Sequence, residues 1–207
     1  MTEQSLQEAR GRAARYDYED GTIEIGHGAV YAVLGVLLWL FDAMSTGGQY
    51  KWLYAVGVLA FSFVSAAVVG SLVSRYKQRI TYPRTGRVHY ERPASAEAWD
   101  AILLIGASLL VAGGAIFIEG RYTGVGAIVG ATIALLLFFA GRRALLARMQ
   151  WIALLPLLIG LVSAYLGIDD TFASALIMAG AGLALLLSGI LAMRSYLAAN
   201  PDPTEEA

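Results

Sequence analysis

Long apolar runs separated by short polar stretches dominate the chain. At a rise of about 1.5 Å per residue, each run is long enough to cross a hydrocarbon core about 30 Å thick. The pattern predicts six transmembrane helices, at about residues 23–44, 52–74, 99–117, 123–140, 151–168 and 172–193. Successive runs pair into three helical hairpins. The expected fold class is therefore an all-α integral membrane bundle.

The overall composition agrees with this pattern. Hydrophobic residues make up 57% of the 207 positions and charged residues only 15%, against about 25% charged in a soluble domain. The absence of cysteine excludes disulfides and thiolate metal sites. With only His27 and His89, which are far apart in sequence, a multi-histidine metal site within one chain is also excluded. We expect no metal and no cofactor.

The basic residues predict the orientation of the spans. Of the 15 lysines and arginines, all but Lys51 and Arg121 fall in segments that six spans would place on one side. Cytosolic segments carry the excess of positive charge, so this side is expected to be the cytosol. The chain then divides into five parts: a cytosolic tail (1–21), a first transmembrane hairpin (22–74), a cytosolic loop (75–98), two further hairpins (99–193) and a cytosolic C-terminal tail (194–207). The expected location is an inner membrane, crossed several times.

The central polar segment contains the densest motif. In RITYPRTGRVHY, apolar and aromatic residues alternate on both sides of the turn formers Pro83 to Gly86. Such a pattern predicts a small cytosolic loop or β-hairpin between the second and third spans. Guanidinium groups suit phosphates and carboxylates. The predicted site for an anionic lipid headgroup, a nucleotide or an acidic protein partner consists of Arg79, Tyr82, Arg84, Gly86, Arg87 and Arg92. The alternative is that these residues serve only topology and membrane anchoring.

Other chemistry is sparse. The motifs G-x-S-x-G and H-E-x-x-H and a phosphate-binding glycine loop are absent, and Ser188 has no histidine near it in sequence. Glu24 and His27 are predicted to form a hydrogen-bonded pair at the mouth of the first span, with proton handling or metal binding as the alternative. The span interiors carry hydroxyls but no ionisable side chain, which argues against an ion-coupled transporter.

Small residues four positions apart predict close packing of the helices. The pairs are Ala66/Gly70, Gly126/Gly130, Gly160/Ala164 and Gly180/Ala184. Their spacing does not decide between contacts within one chain and contacts in a homo-oligomer.

A resemblance adds to this interpretation. RYDYEDGTIEI before the first span and ITYPRTGRV after the second resemble a group of uncharacterised bacterial multi-span membrane proteins, with a YEDG-like entry and a YPRTG-type cytosolic loop. The similarity covers chiefly residues 16–93. Arg87 stands where the YPRTGYV form has a second aromatic residue. The resemblance implies membrane location and fold class, and no catalytic residue.

The function expected from the sequence is non-enzymatic. The YPRTG loop serves structure or binds membrane lipids, in particular anionic headgroups, or a protein partner; no nucleic acid is expected. One alternative is a small transporter or channel for an apolar or neutral solute. Another is an enzyme acting on lipid phosphate, for which His89 and Glu91 are the local acid–base residues.

Overall fold

The computed structural model describes residues 18–44, 51–85 and 124–201, and these residues form helices and the turns that join them. The α-helices are α1 (Thr22–Met44), α2 (Lys51–Tyr76), α3 (Tyr82–Thr85), α4 (Val125–Arg143), α5 (Ala147–Ile152), α6 (Leu154–Tyr165) and α7 (Asp170–Ala199). A π-helical turn, Lys77–Thr81, joins α2 to α3. No strand occurs in the described ranges. The all-α prediction is confirmed for them.

Among the residues that the structure describes, four helical stretches are long and apolar enough to cross a membrane: Thr22–Phe41, Val125–Arg142, Ala147–Tyr165 and Asp170–Ala199. Their outward faces carry large apolar side chains such as Trp39, Leu135 and Leu187, each at least half exposed. Lipid tails solvate such a surface, whereas water does not. These features are those of a membrane protein. The predicted third span, residues 99–117, lies outside the described residues.

The first and last of these helices pack through closely spaced small residues. Gly21, Gly28 and Gly35 approach the backbone at Gly189, Gly182 and Ala175, respectively. Numbers on α1 rise by seven while those on α7 fall by seven, so the helices run antiparallel. A Cβ atom placed on Gly28 would lie only 2.6 Å from the Leu186 amide nitrogen. Glycine is required here because the backbones touch.

A second pair of helices packs in the same way. Gly126 and Gly130 of α4 lie against Gly160 and the carbonyl of Pro156 on α6. The spacing prediction for Gly126/Gly130 and for Gly160 is therefore confirmed, and the contact is within one chain. A Cβ atom added to Gly70, by contrast, would meet no described atom within 4 Å apart from the backbone of its own helix. The fully buried Ile177, together with its core neighbours Ala181 and Leu185, fills the space between α7 and the α4–α6 layer.

The turn after α4 holds an unusual backbone conformation. Leu145 has φ +55°, in the left-handed region, and the amide of Leu146 donates to the carbonyl of Gly141 at 2.8 Å. This is the hydrogen-bond pattern that ends many helices, with leucine where glycine is usual. The next helical stretch then begins at Ala147, four residues before the predicted start at Trp151. Arg148 is thereby part of helix α5.

The predicted β-hairpin is wrong over residues 77–85. Helix α2 does not end at Ser74, and the chain stays helical through the π-turn, where the amide of Tyr82 donates to the carbonyl of Lys77. Pro83 follows the π-turn directly and has no backbone N–H, so it donates no helical hydrogen bond to the preceding turn. Lys77 and Thr81 lie four residues apart on one helical face, and both are buried. Burial of that face holds the segment helical. Residues 86–98 lie outside the described part.

Candidate functional site

The polar end of the bundle is the end where α1 begins and α7 finishes. The segment of residues 77–85, which we call the strap, also reaches this end, as does α5. Two buried carboxylates, from Asp20 and Glu24, lie here with exposed fractions of 1% and 0%. Buried carboxylates are costly unless they are paired and hydrogen-bonded. Their partners therefore define how this end is built.

Asp20 joins the start of α1 to the strap. One carboxylate oxygen accepts hydrogen bonds from the Thr22 amide at 3.1 Å and from the Thr22 hydroxyl at 2.7 Å. The other oxygen accepts from the Thr81 hydroxyl at 2.9 Å and lies 3.7 Å from the ammonium of Lys77. Lys77 and Asp20 are both almost inaccessible. The pair is thus a buried ion pair between segments 57 positions apart in sequence.

Glu24 joins α1 to α5 and α7. Its Oε1 atom accepts from Arg148 Nε at 2.8 Å and lies 2.6 Å from Arg148 Nη2, and its Oε2 atom accepts from the Ser188 hydroxyl at 2.7 Å. Arg148 Nη2 also donates to the carbonyl of Tyr18 at 2.9 Å. Charge-assisted bonds of this kind are short and strong. Together they tie three helices to one carboxylate.

The predicted Glu24–His27 pair is wrong. His27 is exposed, and its Nδ1 lies 2.8 Å from the carbonyl of Ile23, one turn back in its own helix. A carbonyl can only accept, so Nδ1 donates in this contact. Glu24 instead points into the contact between α1 and α7, on the glycine side of α1. The prediction failed because sequence spacing alone does not say which face of α1 packs against α7.

The strap makes further contacts with α7. Arg84 Nη1 donates to the carbonyl of Asn200 at 3.1 Å, at the end of α7 where a helix leaves its last carbonyls without partners. The hydroxyl of Tyr76 donates to the sulfur of Met193 at 3.4 Å. Burial raises the pKa of Tyr76, and the charge of Asp20 raises it further against the opposing charge of Arg84. The phenol therefore stays protonated and able to donate.

The structure describes three of the six residues of the predicted anion site. Arg79 is exposed on the strap, Tyr82 is half-buried, and Arg84 is engaged with Asn200. Gly86, Arg87 and Arg92 lie outside the described residues. Arg84, at least, serves structure at this end of the bundle.

A groove opens beside the cluster, between the second half of α7 and α5. Its volume is about 910 Å³, within the range of small-molecule sites. Polar side chains at the groove are Glu19, Arg148, Ser188, Ser195, Tyr196 and Asn200, and the apolar wall includes Trp151, Ile152, Ala184, Leu191 and Ala192. Arg148 is 35% exposed, and its Nη1 atom has no hydrogen-bond partner among the described residues. Glu19 is exposed.

Sequence reasoning missed most of this cluster. The sequence places Asp20 in the predicted tail, Lys77 and Thr81 in the predicted loop, and Arg148 among the basic residues of the cytosolic side. Ser188, a hydroxyl within a predicted span, donates to Glu24. The prediction that the span interiors carry no ionisable side chain is wrong at Glu24, which is fully buried within the stretch Thr22–Phe41. The available signal was this acid in GTIEIG, flanked by isoleucines at the start of an apolar run. An acid in such a position needs a cation from another segment.

Among the described residues, no group of three histidine or acidic side chains lies close enough together to hold a metal ion. Comparisons of the chain with protein-family models, with curated proteins and with solved structures gave no match. The site is therefore interpreted from its own geometry.

Proposed function

We propose that the chain is a non-enzymatic protein of a bacterial inner membrane, with six spans and with both tails and residues 75–98 at the cytosolic face. The apolar outward faces of the four membrane-length stretches support a membrane location. Lys77, Arg84 and Arg148 contact the start of α1 or the finish of α7, which supports one basic end. By the positive-inside rule, this polar end faces the cytosol.

In this proposal the YPRTG segment closes the cytosolic end of the bundle. The observation that carries the proposal is the buried contact of Asp20 with Lys77 and Thr81, which ties the YEDG entry to the strap. The contact of Arg84 with Asn200 ties the strap to the last helix. The two motifs behind the resemblance thus form two sides of one buried contact.

The same segment presents charge outward. Arg79 is exposed, and a guanidinium at a membrane surface suits the phosphate of an anionic lipid or the carboxylates of a protein partner. Arg87 and Arg92 follow within the same loop. We therefore assign the recognition role to Arg79, Arg87 and Arg92, and the structural role to Arg84.

The contact between α1 and α7 does not favour the alternative of a solute path between these two helices. A Cβ atom on Gly35 would lie 2.6 Å from the amide nitrogen of Ala179. Backbones this close leave no lumen between them.

Native mass spectrometry of the purified protein, with phosphatidylglycerol added, tests the recognition role. We expect Arg79→Ala and Arg87→Ala each to reduce the retained lipid, because each removes one guanidinium from the headgroup. Arg121→Ala is the matched control, because sequence places Arg121 on the opposite side of the membrane. Unchanged retention in both loop variants would contradict the recognition role.

Arg84→Ala should leave lipid retention nearly unchanged and increase hydrogen exchange at the end of α7.

A further inference from the structure

We propose that the groove between α5 and α7 binds one zwitterionic aminophospholipid, with its phosphate at Arg148 and its ammonium at Glu19. This site is separate from the exposed arginines of the strap, and the inference does not depend on their role. It begins from the two unsatisfied charged groups at the groove. Nη1 of Arg148 and the carboxylate of Glu19 both lack a partner among the described residues, and both line the same cavity.

Arg148 contacts the backbone directly before Glu19. Nη2 of Arg148 donates to the carbonyl of Tyr18 at 2.9 Å, and Glu19 is the next residue. In phosphoethanolamine two carbons separate the phosphate oxygen from the ammonium, so one headgroup carries a partner for each of the two groups. The ammonium supplies three N–H donors to a carboxylate, and the phosphate supplies acceptors to a guanidinium.

The charge of the site selects a zwitterion over an anion. Glu24 already balances the charge of Arg148 through the contacts at 2.6 and 2.8 Å. Among the described residues that line the groove, the remaining charge is that of Glu19. An anionic headgroup would add a second negative charge next to it, whereas a zwitterionic headgroup adds none.

The remainder of the groove fits the apolar part of a lipid. Toward the middle of α7 the groove wall is formed by Leu191 and Ala184, together with Ile152 of α5, and Trp151, which also lines the groove, is 72% exposed. Tryptophan is enriched at the level of lipid headgroups, where one side of the ring is wet and the other apolar. The groove therefore is polar at the end where α7 finishes and apolar toward the middle of α7, which matches the headgroup and the acyl chains of a phospholipid.

The experiment is a titration of the full-length protein in detergent, followed by native mass spectrometry. The lipids are phosphatidylethanolamine, phosphatidylcholine and phosphatidylglycerol with identical acyl chains, and free phosphoethanolamine is a fourth arm. We expect phosphatidylethanolamine to half-saturate the protein at a concentration about tenfold lower than the other lipids, the effect of about one charge-assisted hydrogen bond. Phosphatidylcholine tests the N–H donors, because its quaternary ammonium has none.

Two variants locate the site. Glu19→Gln changes an exposed residue without a partner among the described residues, so the fold is retained; it should remove the preference for phosphatidylethanolamine over phosphatidylcholine. Ser195→Trp fills the groove and should reduce retention of phosphatidylethanolamine about tenfold. Ala198→Trp, on an exposed position of α7 outside the groove, and Arg194→Gln, an exposed charge outside the groove, are the matched controls and should bind as the unmodified protein does.

Several results would overturn the proposal. Equal binding of the three lipids, or tighter binding of phosphatidylglycerol, would contradict the charge argument. Retention unchanged in Ser195→Trp, or a preference that survives Glu19→Gln, would place the lipid elsewhere. Free phosphoethanolamine binding as tightly as the lipid would show a soluble ligand instead of a membrane lipid.

Discussion

Nη2 of Arg148 lies 2.6 Å from Oε1 of Glu24, and 124 positions of the chain separate the two residues. The two partners differ in their surroundings. The Glu24 side chain is completely buried, whereas that of Arg148 is 35% exposed. An exposed guanidinium can recover hydration when its partner is lost, and a buried carboxylate cannot.

This asymmetry predicts unequal costs for removing the two partners. Arg148→Met strands the Glu24 carboxylate and should lower the free energy of unfolding by about 3 kcal/mol, the low end for a broken buried pair because Arg148 is partly exposed. Glu24→Gln keeps the shape of the side chain, and the partly exposed Arg148 can be hydrated instead. The decrease in the free energy of unfolding should therefore be smaller, about 1 kcal/mol. Thermal unfolding in detergent measures both.

The double variant Glu24→Leu/Arg148→Met is the control for this pair. Because neither buried charge is left unpaired, it should be more stable than Arg148→Met alone. Additive losses would show that the two side chains do not act as a pair.

The buried carboxylate of Asp20 predicts local opening when it is removed. Asp20→Ala takes away the acceptor of Thr81 and the counter-ion of Lys77, so residues 77–85 should exchange amide hydrogens on the order of tenfold faster. Hydrogen exchange with mass spectrometry resolves this segment from α4 and α6, which should not change. Arg79→Ala alters an exposed strap residue and should leave protection of the segment as it is. Equal protection in Asp20→Ala would mean that the strap is held by other contacts.

The antiparallel glycine contact predicts that glycine-to-alanine substitutions at Gly182 and at Gly70 have different effects on the stability of the protein. A Cβ atom on Gly182 would come 2.8 Å from the carbonyl oxygen of Gly28, so Gly182→Ala should destabilise the protein by about 1–3 kcal/mol. Gly70→Ala adds the same methyl group at a position where a Cβ atom meets no described atom within 4 Å apart from its own helix backbone. It should be neutral or stabilise by about 0.5–1 kcal/mol, as alanine does in a helix interior. Midpoints of thermal unfolding that fall equally in both would refute the packing argument.

The left-handed leucine after α4 predicts a stabilising substitution. Leu145 has φ +55° and its side chain is 61% exposed, so Leu145→Gly should relieve strain at little cost in packing. We expect a net gain of about 0.5–1 kcal/mol after the added freedom of the unfolded chain. Gly167→Ala is the reverse substitution at a position with a similar backbone conformation. Gly167 has φ +65° and no described atom near an added Cβ, so Gly167→Ala should destabilise the protein by a similar amount. A loss of stability in Leu145→Gly would show that the exposed side chain itself contributes.

Much of the helical layout follows from the hydrophobic pattern alone. The runs at 23–44 and 172–193 fall within α1 and α7, and the run at 123–140 overlaps α4 closely. Boundaries at polar ends were less predictable, because Arg148 and Lys77 were expected to end or follow spans. Both residues lie in helical structure, since each finds a buried carboxylate that neutralises its charge.

Local sequence marks Glu24 as an acid that needs a cation, but it does not identify the partners of Glu24 or of Asp20. Asp20 and Glu24 precede or begin an apolar run, as solvated interfacial acids also do. These two acids differ from solvated acids in having a basic partner, which lies 57 positions away for Asp20 and 124 positions away for Glu24. The spacing of residues in a single sequence does not show contacts between segments this far apart in the chain. The β-hairpin failed for a related reason: the alternation around Pro83 is local, whereas the contact of Thr81 with Asp20 is not.

The antiparallel pairing of α1 with α7 also sets an order of events during synthesis. Helix α1 is made early, yet Gly21, Gly28 and Gly35 find their partners only when the last helix has been made. Glu24 likewise must wait, first for Arg148 and then for Ser188. Before Arg148 is made, Glu24 has neither of these two side-chain partners. Completion of the bundle is therefore tied to completion of the chain, and a chain truncated before α7 leaves its first helix without the surface it packs against.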